Sequence, residues 1–107
     1  MLIKIDEYLT PEQLGEANQD YPAIAIITAV NFIEPEKLPF ESKEGKYQLI
    51  LKIDEEDFKW LANKTSLRAI SKVLGKEAKN WIDKSIKLWV VSQLIQGKMK
   101  RVIYAIV

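Results

Sequence analysis

The stretch 58-FKWLANKTSLRAISKVLGKEAKNWIDKSIKLWVVSQLIQGK-98 decides the fold. Phe58 to Ala62 reads as a short strand. Thr65 or Ser66 then caps a helix that runs to about Leu74, where Gly75 is a natural stop. Leu67, Ile70, Val73 and Leu74 form its apolar stripe, and Arg68 and Lys72, four apart, share the polar face. Lys76 to Lys84 is a connecting turn docked by Trp81 and Ile82. Ser85 to Ile95 is a long strand, with Ile86, Leu88 and Val90 on one face and Lys87, Trp89, Val91 and Gln93 on the other. Gln96-Gly97 makes a hairpin turn, the glycine supplying a positive φ, and Lys98 to Val107 is the last strand.

Working outward, Lys46 to Ile53 is a strand that turns Tyr47, Leu49, Leu51 and Ile53 to the core and Gln48, Ile50 and Lys52 away. Asp54 to Asp57 reads as an acidic turn. Its spacing lacks the glycine and alternating ligands of a calcium loop, so it is read as a solvated turn. Pro22 to Ile33 is a strand with Ile24, Ile26, Thr28, Val30 and Phe32 on one face and Ala23, Ala25, Ile27, Ala29 and Asn31 on the other. Glu34 to Gly45 is a charged loop broken by Pro35, Pro39 and Gly45, with Phe40 its only aromatic residue. Thr10-Pro11-Glu12-Gln13 opens a brief helix that ends near Asn18. Leu2 to Ile5 is an edge strand or an extended arm. The whole of 1–107 is one domain, with an arm and short helix over 1–20 and the main body over 22–107.

The predicted order is long strand, long strand, short strand, helix, long strand, long strand. A mainly β chain of five strands, with one helix between the third and fourth, follows the order of an OB-fold, a small partly open barrel. The alternative is an α+β sandwich with the helix on one sheet face.

One segment carries a family resemblance. Leu61-Ala62-Asn63-Lys64-Thr65-Ser66-Leu67-Arg68-Ala69-Ile70, then Val73-Leu74-Gly75-Lys76, then Trp81-Ile82-Asp83-Lys84 and Ile86-Lys87-Leu88, with Gly97-Lys98-Met99 before the final strand, resembles small OB-like proteins of phages and prophages. The match covers about residues 47–107. Asp83 stands where that family usually has glycine. The resemblance implies an OB-like fold and an association with replication or recombination.

The chain has neither cysteine nor histidine. Disulfides, thiolate metal sites and Ser-His or Cys-His nucleophilic pairs are thereby excluded, and no cofactor or metal site is expected. The longest apolar run, Pro22 to Ile33, is too short to span a bilayer, and the first residues lack the basic start of a signal peptide, so no membrane partner and a cytoplasmic location are expected. Richness in isoleucine, lysine and glutamate leans towards a thermophile, although an AT-rich genome gives the same bias. The net charge of +1 hides an asymmetry: residues 1–58 carry 5 Lys and 13 Asp/Glu, whereas residues 59–107 carry 11 Lys/Arg and 2 Asp/Glu. A basic half is the footprint of a polyanionic partner, unless the halves neutralise one another in the fold.

OB-folds bind single strands with basic grooves and aromatic platforms. The candidates for phosphate contact are Lys59, Lys64, Arg68, Lys72, Lys87, Lys98, Lys100 and Arg101, densest at the final hairpin. The candidate rings are Trp60, Trp89 and Tyr104, with Trp89 foremost because its strand face also carries Lys87 and Gln93. The competing reading seals Trp89 beneath the N-terminal segment and makes Trp60, Trp81 and Tyr104 structural. The leading function is a non-catalytic binder of single-stranded DNA or RNA. The alternative is an OB-scaffold interaction or self-assembly module, a homo-oligomer formed through the Leu2–Ile5 arm or an open strand edge. A nuclease would need paired acids for metals, and the only dense acids lie in the Asp54–Asp57 turn, so an enzyme is not expected.

Overall fold

The computed structural model describes residues 7–38 and 41–107; the expected Leu2–Ile5 arm and Phe40 lie outside them. The strands are β1 (Glu7–Tyr8), β2 (Ala23–Ile33), β3 (Lys46–Ile53), β4 (Glu56–Leu61), β5 (Ser85–Ile95) and β6 (Lys98–Ile106), with one α-helix, α1 (Lys64–Leu74), between β4 and β5. They form one sheet in the order β1-β4-β3-β2-β5-β6. Strands β2 to β6 pair antiparallel, and β1 adds to β4 in parallel, Tyr8 opposite Lys59.

Both tight hairpins place their two central residues in the left-handed region, as type I′ turns require to match sheet twist. At β5–β6 these are Gln96 (φ 50°) and Gly97 (φ 79°); at β3–β4 they are Asp54 (φ 49°) and Glu55 (φ 69°). The acidic turn is therefore two residues rather than four, and Glu56 and Asp57 already belong to β4.

A bulge in β2 changes which of its residues face inward. Ile27 pairs with Leu51 and Ala29 with Ile50, so Thr28 is the extra residue, and its hydroxyl donates to the Ile50 carbonyl (3.2 Å). An inserted residue reverses the two-residue alternation beyond it. Before the bulge Ala25 and Ile27 are buried and Ile24 and Ile26 exposed. After it, Val30 opposes the core residue Leu49 and Phe32 opposes Tyr47, so both turn to the inner side. The even-numbered residues of this strand therefore do not share one face.

The sheet curls around a core that includes Ile27, Leu49, Leu51, Ile86 and Leu88, with Ile70 of α1 and the rings of Trp60 and Trp81. Its ends meet without a β4–β6 ladder among the described residues. Helix α1 bridges them through side chains. Asn63 is the N-cap: its Oδ1 accepts the Ser66 N–H (2.8 Å) and its Nδ2 donates to the Ile103 carbonyl (2.8 Å). Ser66, almost fully buried, accepts the Ala105 N–H at its hydroxyl (2.9 Å). The cap is therefore neither Thr65 nor Ser66, the two the sequence offers; Asn63 takes the role because a carboxamide can accept from the helix and donate to β6 at once. Ser66 is thereby drawn into the buried stripe with Leu67, Ile70 and Leu74, while Val73 is 64% exposed and faces out.

The short N-terminal helix is a single 3-10 turn, Pro11–Leu14, with Leu14 buried and the Thr10 N–H donating to Gln13 Oε1 (2.8 Å). The segment runs beside the seam: Leu9 N–H donates to the Lys59 carbonyl (2.7 Å), and further on Val90 N–H donates to the Ala17 carbonyl (3.2 Å). Gly75 stops α1 as expected, and its carbonyl accepts the Trp81 indole N–H (2.9 Å), which ties the connector back to the helix end.

Candidate nucleic-acid interface

Alternation along the β5–β6 hairpin sorts its side chains. Lys87, Trp89, Val91, Gln93 and Ile95 stand opposite Ile106, Tyr104, Val102, Lys100 and Lys98, so all ten share the outer face. Lys87, Lys98 and Lys100 are exposed there and have no carboxylate within 4.0 Å among the described residues. Residues two apart on a strand repeat at about 6.7 Å, so Lys98 and Lys100 form a short row of cations.

Trp89 lies between these lysines but is only 9% exposed. It packs on Tyr104 with ring centroids 6.3 Å apart, and the Gln93 side-chain amide donates to the Tyr104 hydroxyl. The turn Asn18–Tyr21 lies against the same strand, where it lines a shallow depression of about 480 Å³ with Trp89 and Val91. Asn18 Oδ1 accepts the N–H groups of Asp20 and Tyr21 and holds that turn together. At that exposure the Trp89 indole is buried rather than offered as a platform. Trp60 is also buried, at 6% exposure, in the main core.

The other expected cations fall elsewhere. Arg101 has the opposite strand phase; its guanidinium donates to the Gly15 carbonyl (3.1 Å) beside the seam. Lys59 sits over the Tyr8 ring, 5.9 Å from its centroid. Lys64, at the start of α1, pairs with Glu44 (3.1 Å), an exposed pair that contributes little to stability. Arg68 lines a cleft at the far end of the sheet. The structure brings Lys87, Trp89, Lys98 and Lys100 onto one face, and leaves Arg101 with Lys59 and Trp60 near the seam and Lys64 with Arg68 on the helix.

Tyr47 lines that cleft, and its ring partner is one that sequence alternation missed. Phe32 and Tyr47 pair across β2 and β3, edge to face, with centroids 5.2 Å apart, and are 55% and 46% exposed. The Phe32 ring lies so close to Gly45 that a Cβ there would come within 2.3 Å of Cζ. The one signal for this site in the sequence was Thr28, whose extra place in β2 carries Phe32 to the side of Tyr47.

Among the described residues no cluster of three or more acidic side chains could hold a metal ion. No described helix is long and apolar enough to cross a membrane. Compared with protein-family models, curated proteins and solved structures, the chain finds no significant match.

Proposed function

We propose that this chain is a non-catalytic, cytoplasmic, single-stranded nucleic-acid-binding module built as a five-stranded OB-like barrel. The order β4-β3-β2-β5-β6, with α1 between the third and fourth of these strands in sequence, supports the OB-like reading, as does α1's bridging of the open seam. The resemblance of residues 47–107 to small phage and prophage OB-like proteins points the same way.

The observation that carries the function is the unpaired cations on the outer face of the last hairpin: the short row of Lys98 and Lys100 near the turn, with Lys87 on the same face at the opposite end of β5. Such a row tracks phosphates and binds with little sequence preference. The test is fluorescence anisotropy of a labelled oligonucleotide across a salt series. Single-strand binding loses affinity with a slope of roughly −0.7 per phosphate neutralised, so these three lysines contribute a slope of about −2. Changing all three to Gln is expected to flatten the salt dependence by that amount. No binding by the unaltered protein at about 50 mM salt would end this reading.

A specific observation favours the interaction module as second reading. Ile24, Ile26 and Ile106 are exposed on the same outer face, and Lys87 stands between Ile24 and Ile106 in register. A second copy seated on this stripe would cover Lys87. Sedimentation showing a dimer that oligonucleotide dissociates would join the two readings; a dimer indifferent to oligonucleotide, in a protein that binds none, would leave self-assembly alone.

A further inference from the structure

A cleft lies between α1 and residues of β2 and β3. The N-terminal turn of α1 is fastened to β6 by Asn63 and Ser66, and Leu67 and Arg68 of the same helix line the cleft. The hollow is about 340 Å³ and mostly apolar, with Val30, Tyr47, Leu67 and Trp81 along its walls and Arg68 and Lys76 at its margin. Tyr47 in turn meets Phe32 edge to face.

Three features specify an occupant. Small-ligand pockets span about 300–1,000 Å³, so this one takes a single ring system rather than a run of residues or bases. The rim offers ring surface open to water, on which a flat aromatic group can stack. Arg68 and Lys76 are exposed, and neither has a carboxylate within 4.0 Å among the described residues, so the margin carries uncompensated positive charge. A planar apolar face joined to an anion is the chemistry of a nucleotide. We propose that this cleft is a nucleotide pocket: one base stacks on Tyr47, which Phe32 braces edge to face, and its phosphate is held by Arg68 and Lys76. The choice of a base rests on the nucleic-acid reading above. The pocket itself is separate from the Lys87–Lys98–Lys100 face, because β5 runs antiparallel to β2 and carries the hairpin turn away from Phe32.

The three tryptophans allow a site-specific test. The indole N–H of Trp81 is fixed to the Gly75 carbonyl beside the cleft, while Trp89 lies at the hairpin and Trp60 in the core. Nitrogen-15 NMR would follow all three indole resonances during titration with adenosine 5′-monophosphate and, separately, with an oligodeoxyadenylate. Anisotropy of the same labelled oligomer would measure total binding. The expected result is a saturable shift of the Trp81 resonance. Tyr47→Ala, an exposed position, should weaken it roughly 5- to 100-fold, the range that loss of one base–ring stack produces. Arg68→Gln with Lys76→Gln gives a second variant that leaves the ring pair intact and should weaken it as well. A shift with the oligomer alone assigns the pocket to a base within a strand, and a shift with the monophosphate assigns it to free nucleotide too. A Trp81 resonance unmoved by either probe overturns the pocket. In that event, oligomer binding seen by anisotropy would leave the hairpin reading standing, and its absence would remove both.

Discussion

Ser66→Ala isolates the bond that fixes α1 against the sheet. Ser66 is 1% exposed, and its hydroxyl accepts the N–H of Ala105, itself 2% exposed. Removing the hydroxyl leaves a buried amide unpaired, at a cost of about 1–3 kcal/mol. Alanine is the better helix former by roughly 0.5 kcal/mol, which offsets part of that loss. The methyl group keeps most of the volume, so no large cavity adds to the total. The expected net effect is a destabilisation of about 1–2 kcal/mol, or a Tm lower by roughly 4–10 °C for a domain near this size. Urea melts of both proteins by far-UV circular dichroism would measure it, with an unchanged m-value as the sign that only stability moved. Hydrogen exchange supplies the local readout: the Ala105 amide should exchange faster in the variant than its neighbours on β6. A Ser66→Ala protein within 0.5 kcal/mol of the original, with Ala105 still protected, would refute the claim that this hydroxyl carries a buried partner.

Glu55→Gly should stabilise the fold by about 0.5 kcal/mol in a urea melt, because Glu55 holds φ 69° in a turn whose geometry prefers Asp-Gly. Gly45→Ala should destabilise by about 1–3 kcal/mol and shift the Phe32 and Tyr47 ring resonances, since the added Cβ would also lie 2.7 Å from the Ile33 carbonyl, which is backbone and cannot swing aside. Val73→Lys should change stability by no more than about 0.5 kcal/mol, whereas Ile70→Ala should cost about 2–5 kcal/mol, because only the second residue is inside. Trp81→Phe should cost about 1–2 kcal/mol, chiefly the hydrogen bond to the Gly75 carbonyl, and the same melts would measure it.

The sequence made the long elements legible for a physical reason. The two-residue spacing of Leu49 with Leu51 and of Ile86 with Leu88 announces their burial, although Gln48 and Trp89, which alternation turns outward, are buried as well and Tyr47 is 46% exposed. Gly75 and Gly97 mark a helix end and a turn because each sits at positive φ. What stayed hidden depended on partners distant in the chain. The bulge at Thr28 is visible only once β3 is paired, and it alone brings Phe32 to Tyr47. Val73 fits a helical stripe as well as Leu74 does, until Asn63 and Ser66 rotate α1 towards β6. Trp89 reads as an exposed ring among lysines, because its packing on Tyr104 is visible only once β5 and β6 are paired.

Strand pairing also decides how charge and aromatic surface are distributed. A single groove would need the hairpin lysines and the open rings at one end of the sheet. The antiparallel pairing of β2 with β5 puts them at opposite ends, and the cleft beside α1 lies at the end that holds Tyr47. A strand bound here would therefore meet cations first and a stacking pocket only after crossing the body of the sheet. Such an arrangement makes affinity depend on strand length. Oligomers that reach only the hairpin gain electrostatic contacts alone, whereas longer ones gain the additional salt-insensitive increment that base stacking on Tyr47 would contribute.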